Sequence, residues 1–214
     1  MLGRRSPRTR LRRRLTKIHR RVASAHYESE LELIVDAILD RAGVPGDVVE
    51  FGCFKGGSTA KLSLACDVAG KRLRVFDSFE GLPEPAEWDA EHQIERVRTF
   101  RRGEYSGTLD EVRRNVRRYG RIQTCVFERG WFRDTLQRLT GPVAVAFVDV
   151  DLAQSTREVL AHVWPLLSPG GIVFLHDATD EKLQKVFAGA SELHVPARDE
   201  LAQLESKTLA WAKR

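Results

Sequence analysis

Hydrophobic and polar residues follow two alternating periods along most of the chain. Short apolar runs at residues 48–52, 73–77, 122–127, 143–150 and 172–175 predict strands. Apolar residues three and four positions apart predict helices over residues 28–42, 58–68, 109–119, 132–139, 155–167 and 181–188. Residues 192–196 and 208–213 are candidates for a closing pair of strands. This order predicts a doubly wound α/β sheet, in which ligands bind at the carboxyl ends of the strands.

Residues 82–105 interrupt this regularity. The segment is rich in Pro, Glu and Arg and has only weak periodicity. A long irregular connection in a compact domain is usually a functional lid or a disordered segment. Because Trp88, Ile94, Val97 and Phe100 supply apolar side chains that can fold over a site, we predict a lid or substrate loop here.

Charge separates the start of the chain from the rest. Residues 1–21 hold ten of the 35 Lys and Arg residues and no acidic residue, which leaves 25 basic against 30 acidic side chains elsewhere. We therefore predict a basic N-terminal arm over residues 1–27 and a single domain over residues 28–214. A solvated extension is the expectation for the arm. Its apolar residues, however, have the spacing of an amphipathic helix: Leu11, Leu15, Ile18 and Val22.

Composition favours a cytoplasmic protein without a membrane span. No apolar run approaches the roughly 20 residues that cross a bilayer. No apolar segment follows the basic N-terminus, as it would in a secretory signal. The three cysteines have no Cys-x-x-Cys spacing, which favours reduced thiols over a disulfide framework or a zinc site.

The first candidate site is the strand and glycine turn VVEFGCFKGGS at residues 48–58. Glycines let a ligand approach the backbone, and the helix start that follows offers free N–H groups. The spacing differs from the Gly-x-Gly-x-x-Gly of dinucleotide enzymes and from the Walker loop. An acidic residue at the strand end suits the ammonium group of S-adenosylmethionine (SAM), although a plain strand–helix turn is the alternative. The cofactor-binding residues predicted here are Glu50, Gly52, Phe54, Gly56, Gly57 and Ser58.

Asp77 ends the second predicted strand, 25 residues after Gly52. A carboxylate at this place accepts hydrogen bonds from ribose hydroxyls. SAM and dinucleotides share this need, so Asp77 indicates a nucleoside ligand without choosing between them. The alternative is a capping or turn aspartate.

Ionisable side chains also follow the two most apolar strands. Asp149 and Asp151 are two residues apart, so they share a face if the strand continues through them. His176 and Asp177 directly follow the strand at residues 172–175. If the two strands are neighbours, Asp149, Asp177 and His176 converge, and carboxylate oxygens favour Mg²⁺ or Mn²⁺. Hydrogen-bonded carboxylates without an ion are the alternative.

Four segments, in order along the chain, resemble the TylF-type (macrocin O-methyltransferase) family of class I SAM-dependent enzymes. They are PGDVVEFG at residues 45–52, DSFEGLP at 77–83, GWFRDTL at 130–136, and VDVDL at 148–152 with a following Ser-Thr pair. The turn at residues 165–171 also fits. The resemblance implies a Rossmann-like, mostly parallel seven-stranded sheet with helices on both faces.

The resemblance also implies a place for each part of the cofactor. Glu50 and the glycine turn would hold the methionine part of SAM. Asp77 and Ser78 would hold the ribose, and Trp131 would lie near the adenine. Asp149 would also lie against the cofactor.

For the chemistry, the resemblance implies metal ligands at Asp149, His176 and Asp177, and a general base at Asp151. One departure concerns His176, because the family typically has Asp-Asp where this chain has His176-Asp177. An imidazole is a softer, neutral ligand. His176 is therefore a candidate metal ligand, a candidate base, or neither.

These expectations define a SAM-dependent O-methyltransferase that acts on a hydroxyl of a small molecule or sugar, in a secondary metabolite or glycan. A divalent metal would lower the pKa of the hydroxyl, and Asp151 or His176 would take its proton. The alternatives are a metal-independent small-molecule methyltransferase and a SAM- or nucleoside-binding protein without catalysis.

Nucleic acid is disfavoured as a partner. The basic stretch over residues 1–21 has no aromatic residue for base stacking, and the chain lacks the Asn/Asp-Pro-Pro-Tyr/Phe element of base methyltransferases. The arginines of residues 113–118 are expected to form a solvated helix face. Related enzymes commonly associate, which implies a homo-oligomer, while the sequence itself leaves the oligomeric state open.

Overall fold

Seven strands form one sheet within residues 7–85, 100–176, 186, 202–205 and 208–213, which are the residues described by this computed structural model. In chain order the strands are β1 (Asp47–Phe51), β2 (Leu73–Asp77), β3 (Cys125–Arg129), β4 (Val143–Val148), β5 (Leu167–Leu175), β6 (Ala202–Glu205) and β7 (Thr208–Ala212). Their order in the sheet is β3-β2-β1-β4-β5-β7-β6. The first five are parallel, and β7 runs antiparallel to both β5 and β6. The predicted Rossmann-like, mostly parallel sheet is confirmed.

Two of the described helices precede β1, α1 (Pro7–His19) and α2 (Glu28–Asp40). The others lie between the parallel strands: α3 (Gly57–Ala69), α4 (Leu109–Tyr119), α5 (Phe132–Thr135) and α6 (Ala153–Leu166). Local capping explains several bounds: the Thr108 hydroxyl accepts the Glu111 N–H at the start of α4, and Gly70 is left-handed at the end of α3. The predicted helices over residues 28–42, 58–68, 109–119 and 155–167 are confirmed to within two residues at each end.

The core has two layers because successive side chains of a strand point to opposite faces of the sheet. In β1, Val48 packs into the layer that contains α1, α2 and α3, whereas Val49 packs into the layer that contains α6. All six residues of β4 are buried, as expected for a parallel strand covered on both faces.

Helix α1 belongs to the first of these layers. Leu15 is 1% exposed and Ile18 is 2% exposed, and both pack with residues of α2 and α3. The predicted amphipathic helix is confirmed, and the expectation of a solvated arm is wrong for this helix. The reason is its apolar stripe, which gains free energy by leaving water. The predicted boundary after residue 27 therefore does not separate two packing units.

Three segments differ from the predicted elements. The strand predicted over residues 143–150 ends at Val148, and the chain turns at Asp151, whose φ is 55°. Part of the turn predicted at residues 165–171 lies inside β5, which begins at Leu167 with a register shift in its pairing. The start of the strand predicted at residues 122–127 forms a 3-10 turn, Ile122–Thr124, before β3.

Other predictions fall partly outside the described residues. The helix predicted over residues 181–188 lies outside them except for Val186, and the strand predicted over residues 192–196 lies wholly outside. The pairing of β6 with β7 was not predicted. No helix in the described part of the chain has both the length and the apolar character to cross a membrane.

Candidate active site

The glycine turn lies where the order of the strands reverses. The chain proceeds outward from β1 to β2 and β3 and then returns to β4 on the other side of β1, which is the usual place for a ligand in this fold. Gly52 has a φ of 81°, and a Cβ there would lie 1.9 Å from the Asp149 carbonyl oxygen. The turn therefore requires glycine, and it brings the ends of β1 and β4 into contact.

A cavity of about 540 Å³ opens at this edge of the sheet. Most of the predicted site residues line it, so residues far apart in the sequence meet in one place. Those on its wall are Gly52, Phe54, Gly57, Ser58, Asp77, Ser78, Trp131, Asp149, Asp151 and His176. Glu50 and Gly56 are not on the wall, and Asp177 lies outside the described residues.

Asp77 connects the ends of β1 and β2. Its Oδ2 accepts the Cys53 N–H at 2.7 Å, and its Oδ1 accepts the Phe79 N–H at 2.7 Å. Burial raises the pKa of Asp77, and these N–H donors oppose that shift. Asp77 thus fixes the glycine turn while it faces the cavity, as its predicted ribose role requires.

Glu50 lies beneath the glycine turn and is fully buried. The Thr59 hydroxyl donates to its Oε2 at 2.6 Å, and its Oε1 has no hydrogen-bond partner in the described part of the chain. Burial raises the pKa of Glu50 to about 8, against the lowering effect of hydrogen bonds from Ser58 and Thr59. Glu50 therefore links β1 to the start of α3. Its predicted direct contact with SAM stays a prediction.

Two histidines bracket the Asp149 carboxylate. His26 Nε2 lies 2.8 Å from Oδ2, and His176 Nδ1 lies 3.0 Å from Oδ1. The two imidazole rings meet edge to face with centroids 4.6 Å apart. Burial alone would raise the pKa of Asp149, but the charge of His26 and the hydrogen bonds of both rings hold it well below its usual range. The predicted convergence of Asp149 and His176 is thus confirmed.

The sequence reasoning did not find His26 and Glu30. His26 lies two residues before α2, within the region assigned to the basic arm, and Glu30 is 1% exposed on α2. Glu30 Oε2 lies 3.5 Å from His176 Nε2. A signal was available for Glu30, because it lies four residues before the buried Ile34 on the apolar face of a helix. His26 carried no comparable pattern.

Both ends of the irregular segment lie at the cavity. The Leu82 N–H bonds Glu104 O, and the Gly103 N–H bonds Leu82 O, each at 2.9 Å. Arg102 and Tyr105 from this region line the wall, and Tyr105 packs edge to face on Phe54. Residues 86–99, including Trp88, Ile94 and Val97, lie outside the described residues. The lid therefore stays a prediction, now with its two ends placed at the site.

The described residues include one group that could hold a metal ion, and its ligand set differs from the predicted one. The possible ligand atoms of His26, Asp149 and His176 all lie within 4.8 Å of one another. Two of the three residues offer imidazole nitrogen, whereas Mg²⁺ prefers oxygen ligands. A set of two imidazoles and one carboxylate suits transition-metal ions better.

The fold of this chain is similar to that of solved class I O-methyltransferases. The solved O-methyltransferase NovP superposes with a TM-score of 0.73 and 30% sequence identity, over 89% of this chain and 83% of that one. The family model described as macrocin-O-methyltransferase (TylF) matches residues 22–211. The chain belongs to this family of enzymes, as the sequence predicted.

Two characterised relatives are also similar to the chain. One is the 8-demethyl-8-(2,3-dimethoxy-alpha-L-rhamnosyl)-tetracenomycin-C 4'-O-methyltransferase of Streptomyces olivaceus, 40% identical over 69% of this chain. The chain spans 58% of the length of that relative. The other is the mycinamicin III 3''-O-methyltransferase of Micromonospora griseorubida, 31% identical over 86% of this chain and 75% of that protein.

Proposed function

We propose that this protein transfers a methyl group from SAM to a hydroxyl of a sugar or other small molecule, in a secondary metabolite or glycan. The observation that carries the proposal is the cavity at the reversal of strand order, which the glycine turn, Asp77 and Asp149 share. Family membership supports methyl transfer to oxygen. The two relatives are named for such transfers to tetracenomycin and mycinamicin compounds, which supports an acceptor of this kind.

SAM would lie along the ends of β1 and β2. Gly52, Cys53, Phe54, Gly57 and Ser58 of the turn line the cavity, so a ligand in the cavity can contact the turn. The ribose would lie against Asp77 and Ser78. The adenine would lie beside Trp131, whose neighbour Gly130 bonds the Asp77 carbonyl oxygen through its N–H at 3.0 Å.

The acceptor would occupy the opposite end of the cavity. Tyr27 lines the cavity and is 66% exposed, and its ring offers a flat apolar surface. Arg102 and Glu158 also line the cavity and supply charged groups. A lining that combines an aromatic face with charged groups suits a sugar, which presents hydroxyls at its edge and apolar C–H groups on its face.

Proton removal falls to residues beside Asp149. Asp151 and His176 both line the cavity, and either would take the proton of the acceptor hydroxyl as methyl transfer proceeds. A divalent ion, when bound by His26, Asp149 and His176, would lower the pKa of that hydroxyl. His176 would then be a ligand, and Asp151 would be the base. Alignment of donor and acceptor by the walls would supply much of the remaining acceleration.

SAM binding and methyl transfer test this proposal directly. We expect calorimetry to detect binding of SAM and S-adenosylhomocysteine, and mass spectrometry to detect methylation within a panel of glycosylated acceptors. Asp77→Ala should weaken SAM binding by about tenfold or more, because it removes a charge-assisted acceptor. Asp67→Ala is the matched control, since Asp67 lies on α3 in an ion pair with Arg121, away from the cavity wall.

Equal affinity of the Asp77→Ala and Asp67→Ala variants would contradict the assigned cofactor position. Binding of SAM without methylation of any glycosylated or phenolic acceptor would favour the alternative of a binding protein without catalysis.

A further inference from the structure

We propose that His26, Asp149 and His176 form a site for a divalent transition-metal ion, such as Zn²⁺ or Co²⁺, in preference to Mg²⁺. His26 is the ligand that distinguishes this site, and it comes from the segment between α1 and α2. The role of the ion in catalysis rests on the proposed function, because the ion would hold the acceptor hydroxyl. The binding of the ion does not depend on the proposed function.

The possible ligand atoms of the three side chains lie within 4.8 Å of one another, close enough to share one ion. His26 Nε2 and His176 Nδ1 approach the two oxygens of one carboxylate, at 2.8 Å and 3.0 Å. Neither imidazole faces solvent, since His26 is 7% exposed and His176 is 4% exposed. A carboxylate between two imidazole nitrogens is the ligand set that transition metals bind with positions left open.

A second observation concerns the other nitrogen of each ring. In metal sites a ligating histidine usually presents its second nitrogen to a carboxylate, carbonyl or water that fixes the ring. His176 Nε2 lies 3.5 Å from the buried Glu30 carboxylate, and His26 Nδ1 lies 3.1 Å from the Ser24 hydroxyl. Both rings are thus oriented from behind toward the carboxylate that they share.

The outer carboxylate is itself fixed in place. Glu30 Oε2 accepts the Tyr27 N–H at 2.9 Å, in the first turn of α2. This bond ties the backbone next to His26 to the partner of His176. One short segment, residues 24–30, therefore supplies a candidate ligand and both outer partners.

The cluster has one open side. His26, Asp149 and His176 all line the cavity, and the Asp149 side chain is 17% exposed. An ion held there would keep a coordination position toward the acceptor end of the cavity. Nitrogen donors favour transition metals, and affinity for such sites rises along the first row toward copper, with Mg²⁺ preferring oxygen.

The test compares metals on the full chain after treatment with a chelator. We expect one equivalent of Co²⁺ to bind with a visible absorption band, Zn²⁺ to displace it, and Mg²⁺ in large excess to leave the band unchanged. His26→Gln should abolish the band. Glu30→Gln should weaken Co²⁺ binding by about 10–100-fold, the usual cost of losing an outer partner.

Two further variants keep the test decisive. His19→Gln is the matched control, because His19 is a half-buried histidine on α1 beside Lys61, and its Co²⁺ spectrum should match that of the wild type. His176→Asp replaces nitrogen with oxygen, so the preference for Co²⁺ over Mg²⁺ should fall. Circular dichroism and thermal unfolding establish that each variant is folded.

Failure of this inference is distinct from failure of the proposed function. A chelated protein that binds no Co²⁺ or Zn²⁺, binds Mg²⁺ as well as Co²⁺, or keeps the Co²⁺ spectrum in His26→Gln would overturn the metal inference, whatever its SAM binding. Tight Co²⁺ binding in a protein that does not bind SAM would support the inference and overturn the proposed function instead.

Discussion

At the scale of single residues, close contacts at the strand ends decide what the site tolerates. Gly52 has no room for a side chain, because the Asp149 carbonyl oxygen lies where a Cβ would be. Glu50, below the same turn, is fully buried, and its Oε1 has no hydrogen-bond partner among the described residues. Burial raises the pKa of Glu50 to about 8. The turn therefore combines a missing Cβ with a buried acidic side chain beneath it.

Gly52→Ala should be strongly destabilising. The added methyl group would lie 1.9 Å from the Asp149 carbonyl oxygen, at a φ of 81°. Overpacking of this kind costs about 1–3 kcal/mol, to which the strained backbone adds. Urea unfolding measures the effect. Gly43→Ala is the control, since nothing lies within 4 Å of a Cβ there, and an equal loss in both variants would contradict the assigned cause.

The pKa of Glu50 predicts how stability depends on pH. Since burial raises this pKa from 4.5 to about 8, the folded state binds more protons than the unfolded state between these values. This contribution to the free energy of unfolding is therefore present below pH 4.5 and lost as pH rises toward about 8. In the wild type, this pH-dependent fall of the free energy of unfolding is on the order of a few kcal/mol. The Glu50→Gln variant should not show it.

The measurement is the free energy of unfolding of ligand-free protein at several pH values across this window. Glu111→Gln, a substitution of a half-exposed carboxylate on α4, provides the comparison. Parallel pH profiles for wild type and Glu50→Gln would show that Glu50 is ionised in the folded protein, contrary to this prediction.

At the scale of elements, α1 is the helix whose position differs most from the sequence-based prediction. Three of its basic residues, Arg12, Arg13 and Lys17, are exposed, and Arg12 pairs with Asp36 on α2 at 3.0 Å. Its apolar stripe is buried in the core. The segment that follows carries His26 to the Asp149 carboxylate. The N-terminal region is thereby a structural support for one wall of the cavity.

Leu15→Ala should cost about 2–5 kcal/mol, the usual range for a leucine removed from a core, because Leu15 is 1% exposed. If α1 lay on the surface without packing into the core, the same substitution would lower the free energy of unfolding far less. Chemical denaturation monitored by circular dichroism measures the change. Lys17→Ala, at an exposed position of the same helix, should change stability by less than about 0.5 kcal/mol.

At the scale of the whole molecule, cofactor binding and stability are linked. The proposed SAM site joins the ends of β1, β2 and β4, which are assembled only in the folded chain. A ligand that binds only the folded state stabilises it by about 2.7 kcal/mol at 100 times its Kd. S-adenosylhomocysteine should therefore raise the unfolding temperature, and adenosine at the same concentration should raise it less.

The Asp77→Ala variant provides the control for this linkage. It should show a smaller rise than the wild type at one ligand concentration, because its Kd is larger. An unfolding temperature that S-adenosylhomocysteine leaves unchanged in the wild type would contradict the proposed cofactor.

Much of this architecture was predictable because local pattern decides it. The apolar run of β4 and the helical spacing of α4 can be recognised from a few neighbouring residues. Both elements begin and end within two residues of their predicted bounds. The exact end of β4 was not predictable, since Asp151 has a φ of 55° and the chain turns there, which the apolar run does not indicate. Glu50 was placed correctly on its strand, but its separation from the cavity depends on how α3 packs.

The sequence by itself determined the α/β class, the glycine turn and the family, because turn chemistry, periodicity and motif order are properties of short segments. Only the tertiary structure decided that α1 is part of the core and that His26 and Glu30 join Asp149 and His176. Residues 26 and 149 are 123 positions apart, and no local sequence pattern predicts a contact between them. It follows from the docking of α2 beside the ends of β4 and β5, which packing free energy fixes over the whole chain.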